Sequence, residues 1–385
     1  MTQRRKILFL ASWYPNREKE LEAVFIRRHA EAAALFCDVC VFYVHLGDLG
    51  GGGGRETVGG VDTVVSYGID PARSLGRARK PLMLAEYTAL AAATLPGVLW
   101  RFGRPDVVHL HHLWPAVMPA LAVARLTGAP LVWTEHSSNF DVLVAETPKG
   151  AFARHAGRRA SAILPVSAAL RRRMEEAGIA GRYTVLPNAV EAGPGPLPAA
   201  PRRPGPPRLL HVSTIIDSVK NVSGIVRALA IVAGHGRQFA CDIVGDGPDR
   251  DAIAGLVRGL GLDDGRVIMH RYSPPEIIRA MMRDADLFVL NSFQETFSVV
   301  AAEALAEGTP VVATRCGGPE DFVTDDVGRL VPPGDDAALA AAIEQVIDRR
   351  ASFDPVALSA YAVGRFGYDA VGARLRDVYE RVMAR

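Results

Sequence analysis

The stretch LFVLNSFQETFSVVAAEALAEGTPVVATRCGG, residues 287–318, changes its pattern three times in 32 residues. Its opening apolar run, 287–290, reads as a strand buried on both faces. A polar loop follows, then apolar residues at helical spacing from about Phe297 to Glu307. Gly308-Thr309-Pro310 stops the helix, and 310–314 forms a second strand. Strand, helix, strand in that order is a βαβ unit, with parallel strands and a right-handed crossover.

Working outward, the same kind of run recurs at 39–44, 107–110, 131–134, 162–166 and 239–244. Stretches with helical spacing lie between most of them, such as 25–35 and 223–233. Residues 191–207, EAGPGPLPAAPRRPGPP, carry seven prolines in seventeen positions, which excludes a helix interior or a central strand and predicts an extended linker. Each half then opens alike: KILFLAS at 6–12 and RLLHVST at 208–214. The pattern predicts two facing Rossmann-like, doubly wound parallel-sheet domains, 1–190 and 208–367. Ligands are expected at the carboxyl ends of the strands, in an interdomain cleft.

Composition narrows the function. The chain has 385 residues, 49% apolar and 22% charged, and a mean hydropathy of +0.12. It is not disordered, and no apolar run approaches the roughly 20 residues of a membrane span. Arg4, Arg5 and Lys6 before a short apolar run resemble a signal peptide faintly. The run ends in Trp13-Tyr14-Pro15 without a small-residue cleavage site, so a buried first strand and a cytoplasmic protein are expected. A net charge of +2 argues against a nucleic-acid binder. Charge is uneven, however: residues 1–195 hold 23 Lys/Arg against 17 Asp/Glu, leaving 21 against 25. Two basic clusters stand out: Arg73, Arg77, Arg79 and Lys80, and then Arg154, Arg158, Arg159, Arg171, Arg172 and Arg173. They read as solvated helix faces or as a surface for an anionic acceptor or an anionic membrane leaflet.

Chemistry concentrates in the opening stretch. A helix N-terminus facing strand ends offers free N–H groups and a positive dipole end to an anion. Glu295 precedes that helix, and Glu303 lies inside it among Val299, Val300, Ala301, Ala302, Ala304 and Leu305. A carboxylate in so apolar a stretch calls for a partner, and a vicinal diol supplies two hydrogen bonds. Eight residues span about 12 Å along a helix. That separation suits Glu303 on a ribose and Glu295 on a sugar, with a diphosphate between.

Glu295-x7-Glu303, followed by GTPVV at 308–312 and Gly317-Gly318, resembles the signature of the family 4 retaining glycosyltransferases with the GT-B fold. Further matches fall in order: Val212-Ser213…Lys220-Asn221, VGDGP at 244–248 and LPNAV at 186–190. In the first half SWYP at 12–15, DVVH at 106–109 and TEHS at 134–137 also match. The resemblance implies a hexosyltransferase using a nucleotide-diphosphate sugar, with no cofactor and no metal. Lys220 would neutralise the diphosphate, Glu303 hold the ribose and Glu295 the transferred sugar. The backbone amides of Phe297, Ser298 and Val299 would cap the distal phosphate, beside the turn at Gly245. His270, Arg271 and Tyr272 would hold the base, and His136 would reach the donor sugar. A C-terminal helix, 368–385, would cross back to the first domain. The acceptor would be a glycan or lipid-linked glycan, with peripheral contact at the inner membrane face.

Three departures stand out. Residues 214–218 lack the arginine often found before the lysine. Glu22-Ala23-Val24-Phe25 replaces a glycine-rich loop, and Ser298 stands where glycine is usual. They keep a catalytically silent nucleotide-sugar binding protein in view as one alternative; a nucleotide-sugar epimerase on a similar two-domain fold is the other. Other signals are set aside. Cys37 and Cys40 form a lone Cys-x-x-Cys, while Cys241 and Cys316 stand apart, so no disulfide framework or zinc motif results. His109, His111 and His112 suggest a metal, but acidic ligands nearby are sparse. Residues 50–54, five glycines, read as a flexible loop able to act as an acceptor lid. The sequon Asn221-Val222-Ser223 has no meaning in a cytoplasmic protein.

Overall fold

The computed structural model describes residues 4–47, 52–70, 79–145, 149–193, 197 and 205–384. Strands β1 (Lys6–Ala11), β2 (Asp38–Gly47), β3 (Gly52–Val58), β4 (Val61–Ile69), β5 (Val107–His111), β6 (Leu131–Glu135) and β7 (Ala162–Pro165) form one sheet, ordered β3-β4-β2-β1-β5-β6-β7. Strands β8 (Arg208–Val212), β9 (Ala240–Val244), β10 (Val267–His270), β11 (Leu287–Leu290), β12 (Val311–Thr314) and β13 (Gly328–Val331) form a second, ordered β10-β9-β8-β11-β12-β13. Every pairing is parallel except β3 with β4. The second order is the dinucleotide-fold order 3-2-1-4-5-6. In each sheet the first strand lies between neighbours on either side, so the winding reverses there: β1/β5 in one, β8/β11 in the other.

The chain divides into two compact units, residues 1–189 with 368–385, and residues 190–367. The helix Tyr368–Met383 packs in the first unit against the helix Val24–Ala34. A Cβ on Gly372 would sit 2.2 Å from the Ala32 carbonyl oxygen, so glycine sets how closely the two helices approach. Tyr368 donates its hydroxyl to Glu31 at 2.9 Å, and Tyr379 reaches His109 Nδ1 at 2.7 Å. In the second unit the first residues of the proline-rich stretch are held in place. Gly193 N donates to Glu307 Oε1 at 2.7 Å, and Arg279 pairs with Glu191 at 3.2 Å. Glu307 is fully buried and pairs with Arg283. Much of the remaining proline-rich stretch lies outside the described residues.

Three expectations change. Gly52, Gly53 and Gly54 are not loop; they pair with Tyr67, Ser66 and Val65 as the start of edge strand β3, while Gly50 and Gly51 lie outside the described residues. An edge strand tolerates glycine because it needs neighbours on one side only. Secondly, the helix Arg79–Phe102 is, among the described residues, one that is long and apolar enough to cross a membrane. Glu86, Thr88 and Thr94 interrupt its apolar run without ending its helical pattern. It packs on β2, β4 and the helix Val117–Thr127. Thirdly, the helix of the opening stretch spans Val299–Ala306, and Glu295 lies before it in a parallel bridge to Gly317. The helical 12 Å spacing of Glu295 and Glu303 therefore does not apply.

Candidate active site

In the second unit, the loops leaving β8 and β11 meet where the winding reverses. The short helix Asp217–Lys220 follows β8 and presents Lys220, whose Nζ donates to Glu295 Oε1 at 2.6 Å. Ser292 Oγ donates to the same oxygen at 2.7 Å. The two side chains are 24% and 12% exposed, so the pair sits in a recess still open to solvent. Its backbone is fixed from both sides: Glu295 N donates to Cys316 O at 2.8 Å, and Gly318 N donates to Glu295 O at 2.9 Å. A Cβ at Gly318 would fall 2.3 Å from Phe297 Cα, so the second glycine of the pair lets this loop close.

Phe297 turns its ring into the core against Phe322 and Phe366. Ser298 takes a left-handed conformation, φ 71°, with its Oγ buried and unpartnered. Val299 begins the helix, and Glu303 is half-buried on it. Gly245 has φ 155°, and a Cβ there would lie 1.9 Å from Ser213 O. Ser213 N donates to Val244 O at 3.1 Å and Ile215 N to Asp246 O at 2.9 Å, so the glycine turn clasps the loop that leads to Lys220. Gly245 N donates to His270 O at 3.1 Å. His270 Nε2 lies 2.7 Å from Asp242, Arg271 pairs with Asp246 at 2.9 Å, and Tyr272 is exposed. Beneath them His211 bridges Val289 O and Ser213 Oγ, each at 2.8 Å, and burial pushes its imidazole down to about 4.

The corresponding place in the first unit holds imidazoles instead. His29 comes from the helix after β1, His109 and His111 from β5, and His136 from the end of β6; all are buried. His136 Nδ1 lies 3.0 Å from Asn188 Oδ1, and its Nε2 is 3.2 Å from His111 Nδ1. His29 Nε2 donates to Pro187 O at 3.0 Å. Burial lowers all four, His29 to about 4, and keeps them neutral. Glu135, fully buried, fixes the loop that carries His136. Its Oε1 accepts from the amides of His136 and Ser137, each at 2.9 Å, and its Oε2 from Leu113 N at 3.1 Å and the Trp133 indole at 3.2 Å. A buried carboxylate is tolerable when its lone pairs are filled in this way.

Sequence reasoning missed His29, and it gave no role to Glu135 or Ser292, which stood in the quoted stretches 134–137 and 287–318. Asn188 stood within a quoted motif, yet its partnership with His136 follows only from the fold. His109, His111 and His112, set aside above as a metal site, are not the histidines brought together. His109 has both nitrogens taken, by Tyr379 and Thr134, and His112 stacks on Trp13 with centroids 3.8 Å apart. Burial pushes the Cys37 and Cys40 thiols up to about 11 and about 12, and the four cysteines are free. In the second basic cluster Arg171 pairs with Glu175 and Arg173 with Asp141, while Arg158 and Arg159 are exposed. Arg73 and Arg77 lie outside the described residues.

Residues 30–193 match the family described as Glycosyltransferase Family 4, and residues 198–361 match Glycosyl transferases group 1. A glycogen synthase of Mycobacterium tuberculosis is 31% identical over 259 residues, 64% of this chain and 61% of that protein. The chain thus aligns with less than two thirds of that relative's length. A 2-deoxystreptamine glucosyltransferase of Streptomyces kanamyceticus is 32% identical over 340 residues, 77% of this chain and 83% of that protein. Among solved structures the Anabaena protein HepE, in complex with UDP and glucose, superposes with a TM-score of 0.70 at 19% identity, covering 98% of this chain and all of that one. The two parallel-sheet units are those of the GT-B fold, and the sequence matches span both of them: the chain belongs to family 4 of the glycosyltransferases.

Proposed function

We propose that this glycosyltransferase is a retaining, metal-independent hexosyltransferase that takes a sugar from a UDP- or GDP-sugar. The observation that carries this reading is the Lys220–Glu295 pair at the β8/β11 reversal, beside the helix that starts at Val299. An ammonium and a helix N-terminus together can stabilise a leaving diphosphate without a divalent cation. Donor binding then separates the pair: Lys220 turns to the diphosphate, and Glu295 to the sugar hydroxyls. Glu303 takes the ribose diol, and the amides of Phe297, Ser298 and Val299 the distal phosphate. The turn at Gly245 and the main chain of His270, Arg271 and Tyr272 hold the base. The bond from the anomeric carbon to the diphosphate breaks as the acceptor hydroxyl attacks from the same face, and the β-phosphate takes its proton. Glu295 orients the sugar and forms no covalent bond. His136, held by Asn188, serves the sugar as a neutral hydrogen-bonding group.

The acceptor is a hydroxyl of a glycan or lipid-linked glycan in the cytoplasm. Arg154, Arg158 and Arg159 give the first unit a basic face for an anionic acceptor or membrane leaflet. UDP and glucose in the HepE structure favour a UDP-sugar as the first donor to try. A thermal-shift screen against UDP-, GDP- and ADP-sugars, followed by a transfer and hydrolysis assay, tests the reading, because a ligand of the folded state raises its melting temperature. Donor-dependent stabilisation with transfer supports it. Turnover to an isomeric sugar nucleotide without acceptor makes the protein an epimerase, and binding without turnover a silent binder.

A further inference from the structure

We propose that three helices on one face of the first sheet form a docking surface for an anionic phospholipid leaflet. The helix Arg79–Phe102 joins β4 to β5, Val117–Thr127 joins β5 to β6, and Lys149–Arg159 leads into β7. These crossovers all run the same way across the sheet, so right-handed connection puts the three helices side by side on one face. They carry three, one and four Lys and Arg in turn, against a single carboxylate, Glu86, whose Oε1 accepts from Ile69 N at 3.1 Å. Among the described residues Lys80, Arg101, Arg125, Arg158 and Arg159 are exposed and take part in no ion pair.

The helix dipole accounts for the arginines of the last turns. It does not account for the apolar groups set among them. Trp100 and Leu126 are 84% and 81% exposed, more than any other large apolar side chain among the described residues. Solvated helices turn charge outward. The first of these three turns Tyr87, Ala91, Leu95 and Val98 inward, and its outward positions from Pro81 to Trp100, about 28 Å of helix, carry no charge. Lys80 and Arg101 bracket that uncharged face, as cations do on a helix lying between headgroups and acyl chains. Between the other two helices Arg125, His155 and Arg159 rim a groove of about 360 Å³ over Leu121, Pro130 and Leu131, which offers a headgroup phosphate cations above an apolar floor. A second copy of the chain does not suit this surface, because a two-fold contact would set its cations against their own copies. A soluble polyanion would use the cations and leave Trp100 and Leu126 in water. A leaflet takes both. The inference rests on the basic face assigned above to Arg154, Arg158 and Arg159, extends it over two more helices and gives it to lipid. The layer lies alongside the strands, so their carboxyl ends open at its margin, where a lipid-borne hydroxyl arrives.

Flotation of the full chain with vesicles tests this without donor or acceptor, so its result stands apart from that of the transfer assay. The chain should float with vesicles of phosphatidylcholine and phosphatidylglycerol in equal parts and not with phosphatidylcholine alone, and high salt should weaken the binding. Each cation near an anionic surface is worth about fivefold in affinity, so Arg125→Gln, Arg158→Gln and Arg159→Gln together should weaken it by about 100-fold. Lipids brominated on their acyl chains should quench tryptophan fluorescence in the wild-type chain, and Trp100→Phe should remove that quenching. Each substituted side chain is exposed, and circular dichroism checks that the variants fold. Failure of the wild-type chain to float with the anionic vesicles would overturn the proposal. Flotation without bromine quenching, or duplex DNA bound as tightly as the vesicles, would do the same by making the face a plain polyanion site. Quenching that survives Trp100→Phe would place the lipid contact elsewhere and overturn it too.

Discussion

The two sheets reverse their winding at equivalent places and fill those places with opposite chemistry. At β8/β11 an ammonium and a carboxylate face each other with 24% and 12% of their side chains exposed. At β1/β5 and the adjacent end of β6, neutral imidazoles lie at 0–6% exposure. The difference follows from the cost of burial. A charged pair survives only where solvent still reaches it or where hydrogen bonds fill every lone pair, as at Glu135. An imidazole can shed its proton and go deeper.

The largest expected effect separates the two units by acid. Burial pushes the pKa values of His29, His109, His111, His112 and His136 down in the first unit, whereas in the second His211 is the one such histidine among the described residues. The unfolded chain takes up these protons near 6.5, and the folded one only lower, toward about 4 for His29. Their contribution to stability is therefore complete above pH 6.5. It is lost as the pH falls below that, by up to about 1.4 kcal/mol per pH unit for each histidine. Hydrogen exchange at pH 7 and pH 5, corrected for intrinsic rates, should show β1, β5 and β6 losing more protection than β8 and β11. Equal losses would erase the contrast.

Next in size is Lys220→Ala, expected to lower kcat by about 10²-fold or more, as removal of one electrostatic stabiliser does. Activity within about threefold of wild type would reduce the lysine to a structural partner of Glu295. Glu303→Ala should weaken binding of the donor nucleotide by about tenfold or more, in keeping with a charged hydrogen bond. Calorimetry with UDP and GDP reads this directly, and unchanged affinity would remove Glu303 from the ribose.

The smallest effect concerns backbone strain, taken at one position in each unit. Ala23 (φ 51°) and Ser298 (φ 71°) both occupy left-handed conformations. A non-glycine residue there costs about 1–2 kcal/mol, partly offset because glycine loses more freedom on folding. Ala23→Gly and Ser298→Gly should each raise Tm, by about 0.5–1 kcal/mol of stability. A lowered Tm for either would show that its side chain contributes more than its backbone costs.

Those two positions also show how far the sequence could be read. Ala23 and Ser298 stood out as replacements for glycine, and the structure supplies the reason glycine suits them. The apolar runs at 6–12, 107–110, 208–214 and 287–290 are strands, since continuous hydrophobicity is the mark of a strand buried on both faces. Strands β3, β4, β10 and β13 escaped notice because Gly52–Gly54, then Asp62, Thr63 and Ser66, then His270 and Arg329 break that pattern in them. Lys220 and Glu295 were legible singly from their motifs. Their mutual contact was not, since 75 residues and a crossover separate them. The grouping of the buried His29, His111 and His136 was hidden for the same reason: they belong to three different elements.

The placement of Tyr368–Met383 in the first unit bears on biogenesis. Residues 190–367 are translated before that helix is made, so the second unit has its whole complement of residues while the first still lacks one wall. Until then the His109 imidazole has no Tyr379 hydroxyl, and the Ala32 ridge has no Gly372 to seat on it. Domains fold as units during synthesis, and contacts closed late in the sequence are slow to form. For this chain the order of completion is inverted: the unit begun first is finished last, and its nascent form shows an open apolar flank to chaperones throughout the translation of the other.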